Sequence, residues 1–122
     1  MNTVYLSLII FLNVTLLSIL VPGGPIENRD FSALKGFVFW GFNVFLITLG
    51  LVSFYTIYAV LSNNPSSNLL TKVIASGYMV VYAIDLAGIF PKSPTEMSKT
   101  LMLFEIINLC IATYLLILSF FI

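Results

Sequence analysis

The sequence contains no histidine, and its single cysteine is Cys110. Without imidazole there is no His-ligated zinc or haem and no His-based catalytic triad. A lone thiol forms neither an intrachain disulfide nor a cysteine-rich metal site, and it says nothing of redox compartment. Charge is scarce as well. Charged residues make up 8 % of the 122, five basic and five acidic, for a formal net charge of zero. That balance removes nucleic acid and a polybasic lipid-binding surface from the expected partners. No nucleophile, metal cluster or phosphate-binding loop accompanies the acidic residues, so the residues argue against an enzyme more than for one. No cofactor is implied.

What fills the chain instead is apolar. Hydrophobic residues account for 60 %, against roughly 45–50 % in soluble domains, where charged residues reach about 25 %. Mean hydropathy is +1.09. So few charged side chains cannot cover a soluble fold, and an integral membrane protein in contact with the lipid bilayer is expected.

Crossing a hydrocarbon core takes about 20 apolar residues in a helix. Stretches of that kind run over about 3–21, 37–61, 70–90 and 101–122. The prolines Pro22, Pro25, Pro65, Pro91 and Pro94 all fall between them, as helices require. Connections this short place consecutive helices side by side. The predicted fold is therefore all-α: one transmembrane domain over 1–122, with four antiparallel helices in an up-down bundle.

Local signals refine the ends. Pro22-Gly23-Gly24-Pro25 stops the first span, and Asp30 or Ser32 is the expected cap of the second. Ser66 or Ser67 would cap the third. Ser93, Pro94 and Glu96 fit a capping box, which predicts a fourth helix starting near Pro94. A cleaved signal peptide is disfavoured, because the start lacks a basic region and no small-x-small site precedes Pro22. Arg29, Lys35, Lys92 and Lys99 flank the first and third connections, whereas Lys72 lies on the other side. The excess of positive charge predicts both termini outside and those two connections in the cytoplasm.

Within the spans, ionisable side chains are costly and usually face the bundle interior or water. Asp85 and Glu105 lie at matching distances from the third connection, roughly 6–9 Å inside the hydrocarbon at the helical rise. Lys92 or Lys99 could neutralise one of them at the membrane edge. Helical spacing puts Tyr78, Val81, Tyr82, Asp85 and Gly88 on one stripe and Glu105, Asn108 and Ala112 on another. Asn43 lies at a similar depth on the second span, and Gly36, Asn43 and Gly50 form a small-polar-small seam suited to close contact. The first span adds Asn13 and Ser18. Taken singly, such asparagines more often bridge neighbouring helices than bind ligands. Tyr5, Tyr55, Tyr58, Tyr114 and Trp40 fit interfacial anchors.

The candidate ligand- or ion-binding set is Asp85, Glu105, Asn108, Tyr82, Tyr78 and Asn43. Two carboxyls this close at low dielectric should share a proton, and could exchange it for a small cation or small-molecule ligand, with phenols offering cation–π contact. Glu27, Arg29 and Asp30 either form a lid over this opening or an ordered turn held by its own ion pair. Proton- or cation-linked transport, or small-ligand binding, is the leading expectation. A non-catalytic subunit of a larger membrane complex is the alternative. Four helices barely enclose a pathway, so a homo-oligomer, specifically a homodimer, is expected, with Ala83 and Ala87 as a packing or dimer face.

Length and span count match those of small multidrug-resistance transporters and fluoride channels. The first span lacks the acidic residue of the former, however, and the glycine- and asparagine-rich pattern of the latter is missing. Shared length alone transfers no function.

Overall fold

The computed structural model describes residues 2–22, 24–31, 34, 36–91 and 93–121. Helix α1 spans Thr3–Leu20, α2 Gly36–Leu61, α3 Ser67–Leu86 and α4 Lys99–Ser119. All four are long and apolar enough to cross a membrane, as expected of a multi-pass membrane protein. There is no strand among the described residues. The expected positions of Ser32, Lys35, Lys92 and the last residue of the fourth span lie outside the described residues.

The helices close into a four-membered ring in which α1 packs on α2 and α4, and α3 on α2 and α4. Their inward faces repeat at helical spacing: Leu46, Leu49, Ser53, Thr56 and Val60 on α2, and Leu101, Glu105, Asn108, Ala112, Leu115 and Ser119 on α4. Outward faces are also apolar. Phe37, Trp40, Tyr58 and Leu51 are all well exposed, which suits a hydrocarbon surround and no aqueous one.

Contacts tie the helix ends together. The Tyr5 and Tyr114 hydroxyls meet at 2.8 Å. Near the start of α3, Asn68 Nδ2 and Lys72 Nζ donate to the Ser119 carbonyl at 2.7 and 3.0 Å, covering the end of α4. The first and third connections also bond to each other. Asn28 Nδ2 donates to the Glu96 carbonyl at 2.8 Å, and its Oδ1 accepts from the Ser98 N–H at 3.0 Å. Ser93 Oγ donates to the Asp30 carbonyl at 2.6 Å.

Several helix ends differ from the sequence expectation. α4 begins at Lys99, not near Pro94, with Ser98 Oγ accepting from the Leu101 N–H at 3.1 Å. Ser93 is engaged elsewhere, accepting from the Thr95 N–H at 3.1 Å while it holds Asp30, so the tertiary tie overrides the local capping box. α2 begins at Gly36, well beyond Asp30, which therefore does not cap it. At α3 the N-cap position is Ser66, but its side chain makes no cap bond; Asn64 Oδ1 instead accepts from the Ser66 N–H and hydroxyl at 2.9 and 2.7 Å. α3 ends at Leu86, short of Phe90. Gly88, at φ +74°, donates to the Asp85 carbonyl and Ile89 to the Ile84 carbonyl, the Schellman arrangement that favours glycine. Asp85 consequently sits in the last turn of its helix.

The Gly36–Asn43–Gly50 seam is not a close helix contact. A β-carbon on Gly36 would meet nothing within 4 Å, and one on Gly50 would find ordinary contact with Leu17 at 3.7 Å. The tight approach lies at Gly77, where a β-carbon would come within 2.9 Å of Leu49 Cδ1.

A buried arginine among three carboxyl groups

The end of α3 and the second turn of α4 bring Asp85 and Glu105 to one level beneath the first connection. Arg29 descends from that connection between them. Its Nη1 and Nη2 donate to Asp85 Oδ1 and Oδ2 at 2.6 and 3.0 Å. Its Nε and Nη2 donate to Glu27 Oε1 and Oε2 at 2.8 and 2.9 Å. The Arg29 N–H adds a further bond to Glu27 Oε1 at 3.0 Å, which shapes the turn. Two carboxylates thus grip adjoining edges of one planar fork, the strongest arrangement for such groups. The Phe31 ring lies 5.0 Å from the guanidinium carbon, within cation–π range.

Glu105 completes the cluster from α4. Its side chain is 1 % exposed, its Oε2 is 3.8 Å from Arg29 Nη2, and among the described residues neither oxygen accepts from an N–H or hydroxyl donor; its carboxyl lies within hydrogen-bond reach of that of Asp85. One guanidinium therefore faces three carboxyl groups. Neutrality of the cluster requires protons or a further cation, since uncompensated charge at low dielectric is expensive. Asp85 also places its carboxylate at a helix C-terminus, where the backbone dipole favours a cation. Burial opposes the Arg29 charge, yet the hydrogen bonds and charges of Glu27 and Asp85 outweigh it and hold the guanidinium pKa above its ordinary range. Arg29 is a permanent cation.

The sequence-predicted residues divide accordingly. Asp85 and Glu105 share the cluster. Tyr82 borders it: the ring is buried, its hydroxyl lies within reach of the Asn108 side chain, and it lines a cavity of about 10 Å³ with Glu27, Arg29 and Asp85. That is about the minimum space for one water. Asn108 pairs with Asn13 on α1, each amide donating to the other residue. Tyr78 stacks on Tyr82 at 6.5 Å and 6° but sends its hydroxyl to Ser53 Oγ at 2.8 Å, whose own proton goes to the Leu49 carbonyl. Asn43 stays outside; half-buried, it donates to Phe39 within its own helix at 2.9 Å. Ser18 likewise bonds only back to Thr15 at 2.6 Å.

Arg29 and Glu27 are the residues the sequence placed only in a lid or a turn. The ordered turn held by its own ion pair is what the structure shows, with Glu27 and Arg29 paired at 2.8 Å, and Arg29 reaches beyond the turn to Asp85 at 2.6 Å. Lys99 is exposed and does not serve as the counter-ion of Asp85 or Glu105.

From outside, a cleft of about 320 Å³ reaches Arg29 and Asp85, lined further by Gly88, Ser93, Thr95 and Met97. That volume is in the range of small-molecule sites. Among the described residues no three His, Cys, Asp or Glu side chains are placed to hold a metal ion. The guanidinium fills the centre of the carboxyl cluster.

No curated protein and no solved structure matches the chain. A family model described as a domain of unknown function, DUF8051, matches residues 2–122. The chain belongs to the DUF8051 family.

Proposed function

We propose that this is a small membrane transporter or ligand-binding protein that takes up a proton or a small cation at Asp85 and Glu105. Its four helices run antiparallel in an up-down bundle across the bilayer, with both termini outside and the Arg29 end in the cytoplasm. The protein works as a homodimer through the exposed Ala83–Ala87 face of α3.

One observation carries the proposal: Glu105 is fully buried within reach of the Asp85 carboxyl and faces a guanidinium already committed to Glu27 and Asp85, so the group needs a proton or a further cation to be neutral. The cleft beside Asp85 supplies access from the cytoplasmic end.

The test is reconstitution into liposomes with an internal pH indicator. An imposed gradient of a small cation should drive opposite proton movement in wild type, and Glu105→Gln should abolish it while leaving the bundle folded. Equal proton movement in wild type and variant would refute the proposal. Were the protein to purify only with other membrane subunits and to move nothing by itself, the accessory-subunit alternative would replace it.

A further inference from the structure

We infer that Arg29 is a tethered occupant of a guanidinium-recognising site, and that the ligand of this protein is a small planar cation of the guanidinium or amidinium class that displaces it. The inference rests on the cation-binding proposal above and names the chemistry of its ligand.

The geometry of the present occupant sets that chemistry. Glu27 accepts along the Nε–Nη2 edge and Asp85 along the Nη1–Nη2 edge. Two carboxylates at that mutual angle match a planar trigonal fork. An ammonium ion, with its donors on one compact centre, cannot bridge both edges. Phe31 provides an aromatic surface for the same delocalised cation. Asp85 and Glu105 belong to helices, so their part of the cradle stays when Arg29 leaves.

Arg29 does not belong to a helix. It sits on the connection between α1 and α2, and the cleft that reaches it opens past Gly88 and Ser93. The cradle also holds one more carboxyl group than its occupant engages, because Glu105 stands 3.8 Å from Nη2, beyond hydrogen-bond distance. Tyr82 lines the small cavity beside Arg29 and Asp85. The spare carboxyl allows an incoming cation to bind before Arg29 has left. The exchange conserves charge: one cation enters, Arg29 moves to water, and no proton need transfer. Substituents on the incoming ligand fit the cleft.

The experiment uses the full-length protein in detergent with methylguanidinium as probe and methylammonium as control. Calorimetry reads binding, and hydrogen exchange over residues 24–31 reads displacement, since the Arg29 N–H is bonded to Glu27 in the closed state. Methylguanidinium is expected to bind and to raise exchange in that segment at least tenfold, with methylammonium doing neither. Arg29→Gln, which removes the competitor but keeps bulk, should bind methylguanidinium at least tenfold more tightly, and Glu105→Gln at least tenfold more weakly. Equal binding of the two probes, or binding with unchanged exchange in wild type, overturns the inference; the wild-type measurements decide it even if a variant fails to fold. Binding and displacement without proton-linked flux in liposomes would sink the transport proposal and leave this one standing. Proton flux driven by other cations, with no methylguanidinium binding, would do the reverse.

Discussion

Replacing Arg29 with alanine leaves Glu27, Asp85 and Glu105 facing one another with no counter-charge among the contacts described. The guanidinium makes four side-chain hydrogen bonds of 2.6–3.0 Å. The side chains of Arg29, Glu27 and Asp85 are 6 %, 2 % and 9 % exposed, so solvent screens little of the interaction. Breaking a buried pair from one side costs about 3–5 kcal/mol, which lowers Tm by roughly 10–20 °C in a domain of this size. Arg29→Lys keeps the charge but cannot bridge both carboxylates, and should lose about half as much. Adding Asp85→Asn to Arg29→Ala removes one of the stranded carboxylates and should recover stability, with a coupling of about 0.5–3 kcal/mol. Thermal unfolding by circular dichroism in detergent reads all three variants. The difference between wild type and Arg29→Ala should persist from low to high salt, because a buried pair is poorly screened. The sign of the Arg29 titration is also fixed. Its folded-state pKa lies above the ordinary guanidinium range, so its contribution is complete at every pH below that range and is lost only as pH rises beyond it. Changing pH between about 5 and 9 should leave the arginine contribution itself untouched. A loss below about 1 kcal/mol for Arg29→Ala, the range of exposed ion pairs, would refute the reasoning and mean that the pair is open to water.

Gly77→Val should cost about 1–3 kcal/mol through overpacking against Leu49, whereas Gly36→Ala, which points into open space, should stay within about 0.5 kcal/mol; thermal melts compare the two. Asn108→Ala removes the reciprocal bonds to Asn13 and should destabilise by about 0.6–1.7 kcal/mol, the range of measured bonds between membrane helices. Equal melting of variant and wild type would show that the asparagines are satisfied some other way. For topology, cysteines at Asn28 and Ser98 should react with an impermeant thiol reagent only after the cytoplasmic face is exposed, and one at Asn64 from outside. Labelling of Asn28 and Asn64 from the same side would overturn the up-down arrangement.

The four apolar helices were legible because a membrane solvent leaves a strong composition signal and the prolines mark the gaps. The stripes of α3 and α4 followed from helical spacing. Asp85 and Glu105 could be placed at one level because both distances were counted from the same connection. Asn43 misled through its direction: the buried face of α2 runs through Leu46, Leu49 and Ser53, and continuing it backwards passes Phe42. Arg29 was beyond pattern reasoning for another reason. A loop residue has no periodicity to say where its side chain points, so its choice of Asp85 over water was invisible. The start of α4 was missed on similar grounds, since Ser93 is taken by a carbonyl of a connection 63 residues away in the chain.

On the cation-binding proposal, Arg29, riding on a connection instead of a helix, would act as a competitor at fixed effective concentration. A short flexible tether sets such a concentration in the millimolar range. The bonds of Asn28 to Glu96 and Ser98, and of Ser93 to Asp30, restrain this tether further and raise the value above that of a free loop. The threshold at which a free cation would occupy the carboxylates is therefore set partly by Asn28 and Ser93, whose side-chain bonds run to Glu96, Ser98 and Asp30. Loosening them would make the site respond to more dilute ligand without altering a single atom of the cradle, so sensitivity and selectivity in this fold can drift independently.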